Sequence, residues 1–270
     1  MKDKDTERAK CRVHESVHIL GVEISAVNMD SAVETILEWV HKGEKHYVCV
    51  RDVHGVMKCQ SDKVLNDIHQ GSGLTVPDGM PLVWLGKIYG FSRMSRVYGP
   101  DLMMEICRRS VPKRYNHFLY GGDIGVAEQL RKRLEDRFPG IQIVGTYMPP
   151  FRPLNPNEEK ELEEQVRAVK PDLFWVGMST PKQEYFMGSY LSRIEAKVMI
   201  GVGAAFDIHT GRTRDAPRLV KAVGMQWLYR LCQEPRRLWK RYLYSNPAFI
   251  YKIAQQLLRD GFRRSKEKRY

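Results

Sequence analysis

The sequence has no long hydrophobic run. Its longest apolar stretch is nine residues, from Val198 to Phe206, whereas a membrane-spanning helix needs roughly 20. The first ten residues, MKDKDTERAK, carry charges of both signs and lack the apolar centre of a secretory signal. We therefore expect a cytosolic chain that does not cross a membrane, with residues 1–14 forming a loose tail.

Disulfide and metal-binding patterns are also lacking. The five cysteines are scattered without a C-x-x-C pair, and the eight histidines show no H-E-x-x-H or comparable spacing. This pattern predicts reduced thiols and no structural zinc. The one D-x-D sequence, Asp3-Lys4-Asp5, falls in the expected tail, so we predict no metal site.

Positive charge is concentrated at one end of the chain. Residues 208–270 contain 16 Lys or Arg against 4 Asp or Glu, whereas residues 1–207 contain 28 of each. The whole net charge of +12 therefore lies in the last quarter, which indicates a surface for phosphate groups of lipid or nucleic acid. A solvated helical face is the structural alternative.

Aromatic residues are interleaved with these cations in the segment WLYRLCQEPRRLWKRYLYSNPAFIYKIAQQLL. Rings beside arginines and lysines are typical of a membrane interface, where the rings lie at headgroup level and the cations meet lipid phosphates. Nucleic-acid-binding surfaces use the same mixture for stacking and phosphate contacts. Composition does not separate these two interpretations.

Short runs of β-branched and aromatic residues alternate with helical patterns as far as Arg218. This alternation predicts an α/β fold, a Rossmann-like parallel sheet with helices on both faces. Beyond Arg218 the pattern is purely helical and is interrupted by Pro235 and Pro247. We therefore expect the tail, an α/β domain over residues 15–217 and a basic, aromatic-rich helical appendage over residues 218–270.

Ligands of such a sheet bind outside the carboxyl ends of its strands, so the residues after each strand are the first candidates. In LTVPDGMPLVW, Asp78 lies between a strand and a helix, either as a helix N-cap or as a general base that deprotonates a hydroxyl. In RVYGPD, Arg96 precedes a helix as a surface cation or an anion clamp. The spacing does not decide either case.

Three further strand ends carry candidate residues. In HFLYGGDIGVAEQL, Gly121 and Gly122 form either a phosphate-binding turn or a plain tight turn, and the departure from G-x-G-x-x-G disfavours an NAD site. In LFWVGMSTPKQEYF, Lys182 and Gln183 are expected to be exposed in the first helical turn, within reach of a diphosphate or sugar. In VMIGVGAAFDIHTGR, Asp207 falls at the ligand edge.

Taken in order, several segments resemble the WecG/TagA/CpsF glycosyltransferases, family 26 of the sugar-nucleotide-dependent enzymes. They are VPDGMPLVW, RVYGPDL, FLYGG, VGMSTPKQE, GVGAAFDIHTG, RDAPR and WLYRLCQEPRRLWKRYL, and they span about residues 17–245. The resemblance implies an inverting enzyme that transfers a sugar from a UDP-sugar to a polyprenyl-diphosphate-linked acceptor. It also implies that the enzyme acts at the cytoplasmic face of the membrane. The products of such enzymes enter the synthesis of teichoic acid, enterobacterial common antigen, capsule or exopolysaccharide.

The resemblance also implies roles by motif position. Asp78 is the implied catalytic base, Arg96 and Gln183 are active-site polar groups, and the appendage arginines approach the lipid diphosphate. Lys240 stands where arginine is usual, with Arg241 beside it. With the strand-end candidates, the predicted substrate-binding residues are Asp52, Gly121, Gly122, Lys182, Gln183, Asp207, Arg230, Arg237, Lys240 and Arg241.

One segment departs from the family pattern. Where the family has Thr-x-Asn after a strand, this chain has Val50, Arg51 and Asp52. The predicted donor is therefore UDP-linked N-acetylmannosamine, its uronic acid or a hexose. Without a D-x-D motif outside the tail, we expect a metal-independent reaction without a cofactor, in which Arg96, Lys182 and glycine-turn amides stabilise the leaving UDP.

The expected partners are the UDP-sugar, the polyprenyl-diphosphate-linked sugar and an anionic membrane surface, without nucleic acid. Self-association is left open. Two other functions stay as alternatives at this point, a nucleotide-dependent oxidoreductase of the same fold and a basic nucleic-acid-binding module. Strong nicotinamide binding would favour the first, and salt-sensitive RNA binding would favour the second.

Overall fold

The alternating strands and helices form a six-stranded, fully parallel sheet in a computed structural model that describes residues 14–267, with side chains described as far as residue 261. The expected tail therefore lies almost wholly outside the described residues, as does the D-x-D sequence. A separate antiparallel hairpin precedes the sheet. The predicted Rossmann-like α/β class is confirmed, although the sequence pattern did not separate the hairpin from the sheet.

The strands are short, as the apolar runs predict. The hairpin consists of Ser16–Ile19 (β1) and Val22–Ser25 (β2). The strands of the sheet, in chain order, are His46–Arg51 (β3), Leu74–Pro77 (β4), Asn116–Gly121 (β5), Gln142–Tyr147 (β6), Leu173–Gly177 (β7) and Val198–Gly201 (β8). Their spatial order is β4-β3-β8-β7-β5-β6.

Helices follow most of the strands. They are Met29–Lys42 (α1), Val53–Cys59 (α2), Lys63–Gln70 (α3), Met80–Ile88 (α4), Gly99–Ser110 (α5), Val126–Arg137 (α6), Pro156–Val169 (α7), Lys182–Tyr190 (α8), Ala205–His209 (α9), Arg218–Ala222 (α10), Gln226–Gln233 (α11) and Pro235–Glu267 (α12). Capping boxes begin α1 at Asn28 and α7 at Asn155. The short helices α2 and α9 were not predicted, because five to seven residues give too little periodicity.

Two apolar layers enclose the sheet. Buried side chains of α1, α5 and α6 pack on one face, and those of α7 and α8 pack on the other. Strand residues such as Phe174 and Trp175 are fully buried, as expected for parallel strands covered on both faces. This burial holds the strands in register, so that their carboxyl ends meet along one edge.

The last helix, α12, packs against the body of the protein. Phe249 and Ile253 join an apolar cluster that includes the hairpin, α2 and α4. Gln256 accepts a hydrogen bond from the Leu20 amide at 2.8 Å and donates to the His18 carbonyl at 2.9 Å. The helix α12 is therefore tied to the start of the described chain.

The predicted interruption at Pro247 is wrong, because α12 continues through this residue. A proline inside a helix removes one backbone hydrogen bond, and the side chains of Tyr242 and Phe249, on either side of Pro247, are buried. Within the part of the chain that the structure describes, none of the helices combines the length and the apolar character needed to cross a bilayer.

Candidate active site

A polar cleft lies at the carboxyl ends of β3, β4, β7 and β8, where the parallel topology predicts a ligand site. Its volume is about 270 Å³, and backbone and side chains from the Gly177–Thr180 and Gly201–Ala204 turns line it together with α11 and α12. The charged residues in its lining are Asp52, Asp78, Asp207, Arg230, Glu234, Arg237 and Arg241.

Asp78 lies in this cleft directly after β4. The N-cap of α4 is Gly79, with no side-chain capping bond, so the N-cap interpretation of Asp78 is wrong. Its carboxylate Oδ1 instead accepts hydrogen bonds from Arg96, from Nη2 at 2.7 Å and from Nε at 3.1 Å. Burial raises the pKa of Asp78 above its usual value, and the charge of Arg96 offsets this only in part.

Arg96 is held in place rather than free at the surface. Besides Asp78, it donates to the side-chain oxygen of Gln226 in α11, and its guanidinium lies 4.4 Å from the Tyr98 ring centre. The Tyr98 hydroxyl donates to Asp215 at 2.8 Å and accepts from Gln226 at 2.8 Å. Sequence reasoning missed Tyr98, although it lies in the quoted RVYGPD motif, and Gln226, for which the sequence carries no signal.

Asp52 is the residue that caps a helix. Its carboxylate accepts the Gly55 amide at 2.9 Å at the start of α2 and forms an ion pair with Arg241 of α12. Burial opposes the ionisation of Asp52, but the Arg241 charge and the Gly55 amide outweigh it and lower the pKa to about 2. Asp52 is therefore charged at neutral pH and joins the cleft to α12.

The predicted cations of the appendage occupy different places. Arg230 and Arg237 line the cleft, as does Arg241. The Arg230 Nε atom is buried without a hydrogen-bond partner. Lys240 lies outside the cleft lining, with its ammonium 5.5 Å from the ring centre of Trp239. Arg237 and Arg241 thus supply the positive charge on the side of α12 that faces the cleft.

Glu234, which lies between α11 and α12, balances part of this charge. It forms an ion pair with Arg237, and its carboxylate is 3.8 Å from the Arg230 guanidinium. Of the three cleft arginines, Arg241 and Arg237 thus have close carboxylate partners, whereas Arg230 has only the longer contact. The structure therefore leaves Arg230 as the arginine best placed to bind an added anion.

The predicted pair Lys182 and Gln183 is divided between two environments. Gln183 is only 2% exposed, so the expectation of an exposed side chain is wrong. It still lines the cleft, and its oxygen accepts the Gly203 amide at 2.9 Å. Lys182 is exposed and donates to the Phe151 carbonyl at 3.4 Å, outside the cleft lining. Adjacent helical residues point about 100° apart, which separates the two side chains.

Gly121 and Gly122 lie beside the cleft and not in its lining. Both have positive φ, +123° and +78°, and a Cβ on Gly121 would lie 2.6 Å from the Gly177 carbonyl oxygen. The Gly122 amide donates to that oxygen at 3.0 Å. The geometry is that of the tight-turn alternative, in which glycine allows β5 to approach the end of β7.

Gly121→Ala is therefore expected to lower the free energy of unfolding by about 2 kcal/mol, through both its backbone conformation and the contact with Gly177. Gly125→Ala is the control, because Gly125 also has positive φ but faces open space, and it should cost less. Urea unfolding of the three proteins measures the difference. Equal costs at the two positions would contradict the packing role of Gly121.

Asp207 lies at the cleft edge, as predicted, in the short helix α9. Its carboxylate is 3.7 Å from the Arg212 Nε atom and is 40% exposed. Burial raises its pKa above the usual value, with Arg212 opposing. Across the described residues, no group of three or more His, Cys, Asp or Glu side chains is arranged to hold a metal ion, and metal independence stays a prediction.

A buried ion pair lies beneath the cleft. Arg51 at the end of β3 and Glu184 in α8 are both fully buried, with 2.6 Å between Nη2 and Oε1. Thr180 and Gln183 also donate to this oxygen, at 3.2 and 2.9 Å. Gly55 makes room for the pair, because a Cβ there would lie 1.8 Å from Arg51 Nη1. Sequence reasoning gave Arg51 no role and missed Glu184.

An apolar groove of about 740 Å³ continues from the cleft between α4, α11 and α12. It shares four lining residues with the cleft, which are Asp52, Asp78, Tyr98 and Arg230. Its apolar walls include Trp84, Ile88, Trp227, Phe249, Ile253 and Leu257. The sequence did not predict this groove, because its walls come from helices more than 100 residues apart.

Comparison with known proteins gives a consistent result. The model of the glycosyl transferase WecG/TagA/CpsF family matches residues 17–263. Three similar proteins are each named N-acetylglucosaminyldiphosphoundecaprenol N-acetyl-beta-D-mannosaminyltransferase.

The Bacillus spizizenii protein is 30% identical over 175 residues, which are 65% of this chain and 65%, just under two thirds, of that protein. The Bacillus subtilis protein is 28% identical over 72% of this chain and 73% of its own length. The Staphylococcus aureus MRSA252 protein is 26% identical over 88% of this chain and 92% of its own length.

Proposed function

The chain belongs to the WecG/TagA/CpsF family of glycosyl transferases, and we propose that it transfers a sugar from a UDP-sugar to a polyprenyl-diphosphate-linked acceptor. The names of its relatives give such an acceptor and N-acetylmannosamine as the transferred sugar. For this chain, N-acetylmannosamine, its uronic acid and a hexose are the candidate donors, because Val50 and Asp52 stand where the resemblance implies Thr and Asn.

The position of Asp78 is the observation that carries this proposal. Both hydrogen bonds from Arg96 to the carboxylate fall on Oδ1, which leaves Oδ2 to take the proton of the acceptor hydroxyl. The hydroxyl oxygen then bonds to the anomeric carbon of the donor while the bond from that carbon to UDP breaks. One base and one displacement give inversion, as in the single-step logic of inverting glycosidases.

Charge in the cleft supports a reaction that needs no metal ion. Departing UDP carries negative charge, which arginines and backbone amides can offset. Arg230 and Arg237 line the cleft, and we propose that they take the role that the sequence had suggested for Lys182 and the glycine turn. Arg96 has a different part in this mechanism, because it holds Asp78 in place.

The test is a screen of UDP-sugars against a synthetic polyprenyl-diphosphate-linked N-acetylglucosamine, with products read by mass spectrometry. We expect one UDP-sugar to give a product larger by one sugar, with the anomeric configuration inverted in the NMR spectrum. Activity should persist in excess EDTA. Loss of activity in EDTA with recovery in Mg²⁺ would refute the metal-free mechanism, and no product from any UDP-sugar would refute the transfer itself.

We also propose that α10, α11 and α12 rest on the anionic cytoplasmic face of a membrane. Large apolar side chains are exposed there, including Leu219 at 81%, Leu243 at 60% and Trp239 at 44%. Arg236 and Lys240 are exposed beside Trp239 on α12. Apolar groups that enter the headgroup region next to cations that meet lipid phosphates are typical of interfacial helices.

The double substitution Trp239→Ala and Leu243→Ala should weaken binding to vesicles containing phosphatidylglycerol at least tenfold, because each side chain loses its apolar burial in the membrane. Vesicle sedimentation measures the change. Val64→Ala is the matched control, since Val64 is 60% exposed but lies on α3. Unchanged vesicle binding by the double variant would contradict the membrane role of this surface.

A further inference from the structure

A chain of hydrogen bonds runs from Asp78 away from the cleft. Arg96 Nη2 donates to Asp78 Oδ1 at 2.7 Å and also to the side-chain oxygen of Gln226. The Gln226 side-chain nitrogen donates to the Tyr98 hydroxyl at 2.8 Å, and that hydroxyl donates to Asp215 at 2.8 Å. These bonds join the segment after β4, the segment before α5, the first residue of α11 and the loop before α10.

The end groups of this chain fix the direction of its bonds. A carboxylate only accepts, so the Tyr98 hydroxyl donates to Asp215 and accepts from Gln226. A guanidinium only donates, so the Gln226 oxygen must face Arg96. Burial and the carboxylates of Asp78 and Asp215 raise the pKa of Tyr98 above its usual value, so its hydroxyl keeps the proton at neutral pH. The Gln226 side chain is therefore held in one orientation.

The far end of the chain is anchored. Asp215 Oδ2 forms an ion pair with Lys221 Nζ at 2.8 Å. Tyr98 is only 6% exposed, and its ring centre lies 4.4 Å from the Arg96 guanidinium. Tyr98 therefore contacts Arg96 directly through its ring, and its hydroxyl acts on the same guanidinium through Gln226.

Arg96 binds only one oxygen of the Asp78 carboxylate. Pairs of arginine and carboxylate are frequently bidentate, with parallel hydrogen bonds to both oxygens. Here Nε and Nη2 both donate to Oδ1, at 3.1 and 2.7 Å, and Nε also donates to the Asp78 backbone carbonyl at 2.5 Å. Because Nη2 also bonds to Gln226, the guanidinium is held turned away from the parallel arrangement that would cover Oδ2.

We propose that Tyr98 and Gln226 are positioning residues that keep Arg96 from closing on both oxygens of Asp78, so that Oδ2 stays open to the acceptor hydroxyl. This inference rests on the proposed function, because it concerns access to the same base. Gln226 acts on Arg96 directly, and Tyr98 acts by orienting the Gln226 amide. Loss of either contact frees the guanidinium to bond to Oδ2, which leaves the base charged but less able to take a proton.

The test compares Tyr98→Phe, Gln226→Met and the double variant with the unmodified chain. Tyr98→Phe removes the hydroxyl and keeps the ring against Arg96, and Gln226→Met removes both polar atoms at similar length. Tyr190→Phe is the matched control, because its hydroxyl also donates to a carboxylate, that of Glu159 at 2.5 Å, outside the cleft lining. Thermal unfolding checks that all four variants are folded.

We expect kcat for sugar transfer to fall about 3-fold to 10-fold in Tyr98→Phe and at least about 10-fold in Gln226→Met, because the bond to the charged Arg96 is the stronger one. The KM for the UDP-sugar should be unchanged. The double variant should be as slow as Gln226→Met alone, because Tyr98 acts through Gln226. Single variants as fast as Tyr190→Phe, or losses that multiply in the double variant, would overturn the inference.

The pKa of Asp78, followed by 13C NMR of the aspartate carboxyl carbons, is a readout that does not need transfer. Asp78→Asn assigns the signal. Arg96, Asp52 and Arg230 are the charged groups that act on Asp78, and the variants retain all three. A new hydrogen bond to Oδ2 favours the ionised carboxylate, so the pKa should fall in both single variants, and the loss of transfer in acid should move to lower pH. An unchanged pKa, or a rise that shows Arg96 leaving Asp78, would overturn the inference.

The two readouts separate this inference from the proposed function. Absence of transfer by the unmodified chain with every UDP-sugar, together with a lowered Asp78 pKa in the variants, refutes the function and leaves the positioning role. Transfer by the unmodified chain, with variants that match Tyr190→Phe in rate and in the pKa of Asp78, refutes the positioning role and leaves the function standing. Slower transfer together with a lowered pKa supports both.

Discussion

Asp78→Asn is expected to slow sugar transfer by about 100-fold to 10,000-fold, the usual contribution of a general base. Asparagine has nearly the same shape and can still accept a hydrogen bond from Arg96, but it cannot take up the hydroxyl proton. The KM for the UDP-sugar should change little, because Asp78 acts on the acceptor. The measurement is the initial rate of product formation with the synthetic acceptor.

The pH dependence gives a second readout of the same residue. Burial raises the pKa of Asp78, and the base works only when it is deprotonated. Transfer should therefore fall as the pH drops through this raised pKa, and the fall should be absent in Asp78→Asn. Asp136→Asn, at an exposed site on α6, is the matched control. Near-normal transfer by Asp78→Asn would remove Asp78 from the reaction.

Glu184→Gln is expected to lower the free energy of unfolding by about 3–5 kcal/mol, because it leaves the buried charge of Arg51 without its partner. Both side chains are fully buried, with 2.6 Å between Arg51 Nη2 and Glu184 Oε1, so water cannot replace the lost carboxylate. Chemical denaturation measures the change. A cost below about 1 kcal/mol would show that the pair does not stabilise the fold.

The double substitution Arg51→Met and Glu184→Met is the informative comparison. Replacing a buried ion pair with apolar side chains of similar size is often neutral or stabilising, so the double variant should be more stable than Glu184→Gln alone. Its transfer rate then tests whether the pair positions the cleft. Gln183 donates to Glu184 and accepts from Gly203, so loss of Glu184 should loosen the Gly201–Ala204 turn.

The sequence predicted the sheet well because its strands are buried on both faces. A strand such as Leu173–Gly177 is a continuous apolar run bounded by turn residues, and it can be read without knowledge of its neighbours. The same holds for Pro156–Val169, whose Asn155 cap and Glu158 form a capping box. The separate hairpin could not be distinguished, because β1 and β2 have the composition of sheet strands and differ only in their partners.

The sequence predicted those residues of the candidate site that directly follow a strand. Asp78 follows a strand, and that fact alone places it at the ligand edge. The support of Arg96, which holds Asp78, was not predictable, since Gln226 contacts Arg96 from a helix 130 residues further along the chain. Lys182 and Gln183 show a similar limit of sequence-based prediction. The orientation of α8 about its axis decides which of these two adjacent side chains enters the cleft.

The structure also gives a physical account of the departure from Thr-x-Asn. A carboxylate at Asp52 adds a negative charge to the cleft, and Arg241 offsets it directly. Arg51 needs a buried anion, and Glu184 supplies it. The two charged residues of this segment thus each have a counter-charge.

The contact between the hairpin and α12 affects the order in which parts of the protein fold during synthesis. The Leu20 amide and the His18 carbonyl both bond to Gln256, 236 and 238 residues further along. A ribosome releases the amino-terminal part first, so the hairpin gains this partner only after more than 230 further residues have been made. Until then, the apolar residues that Phe249 and Ile253 cover are open to solvent and to chaperones.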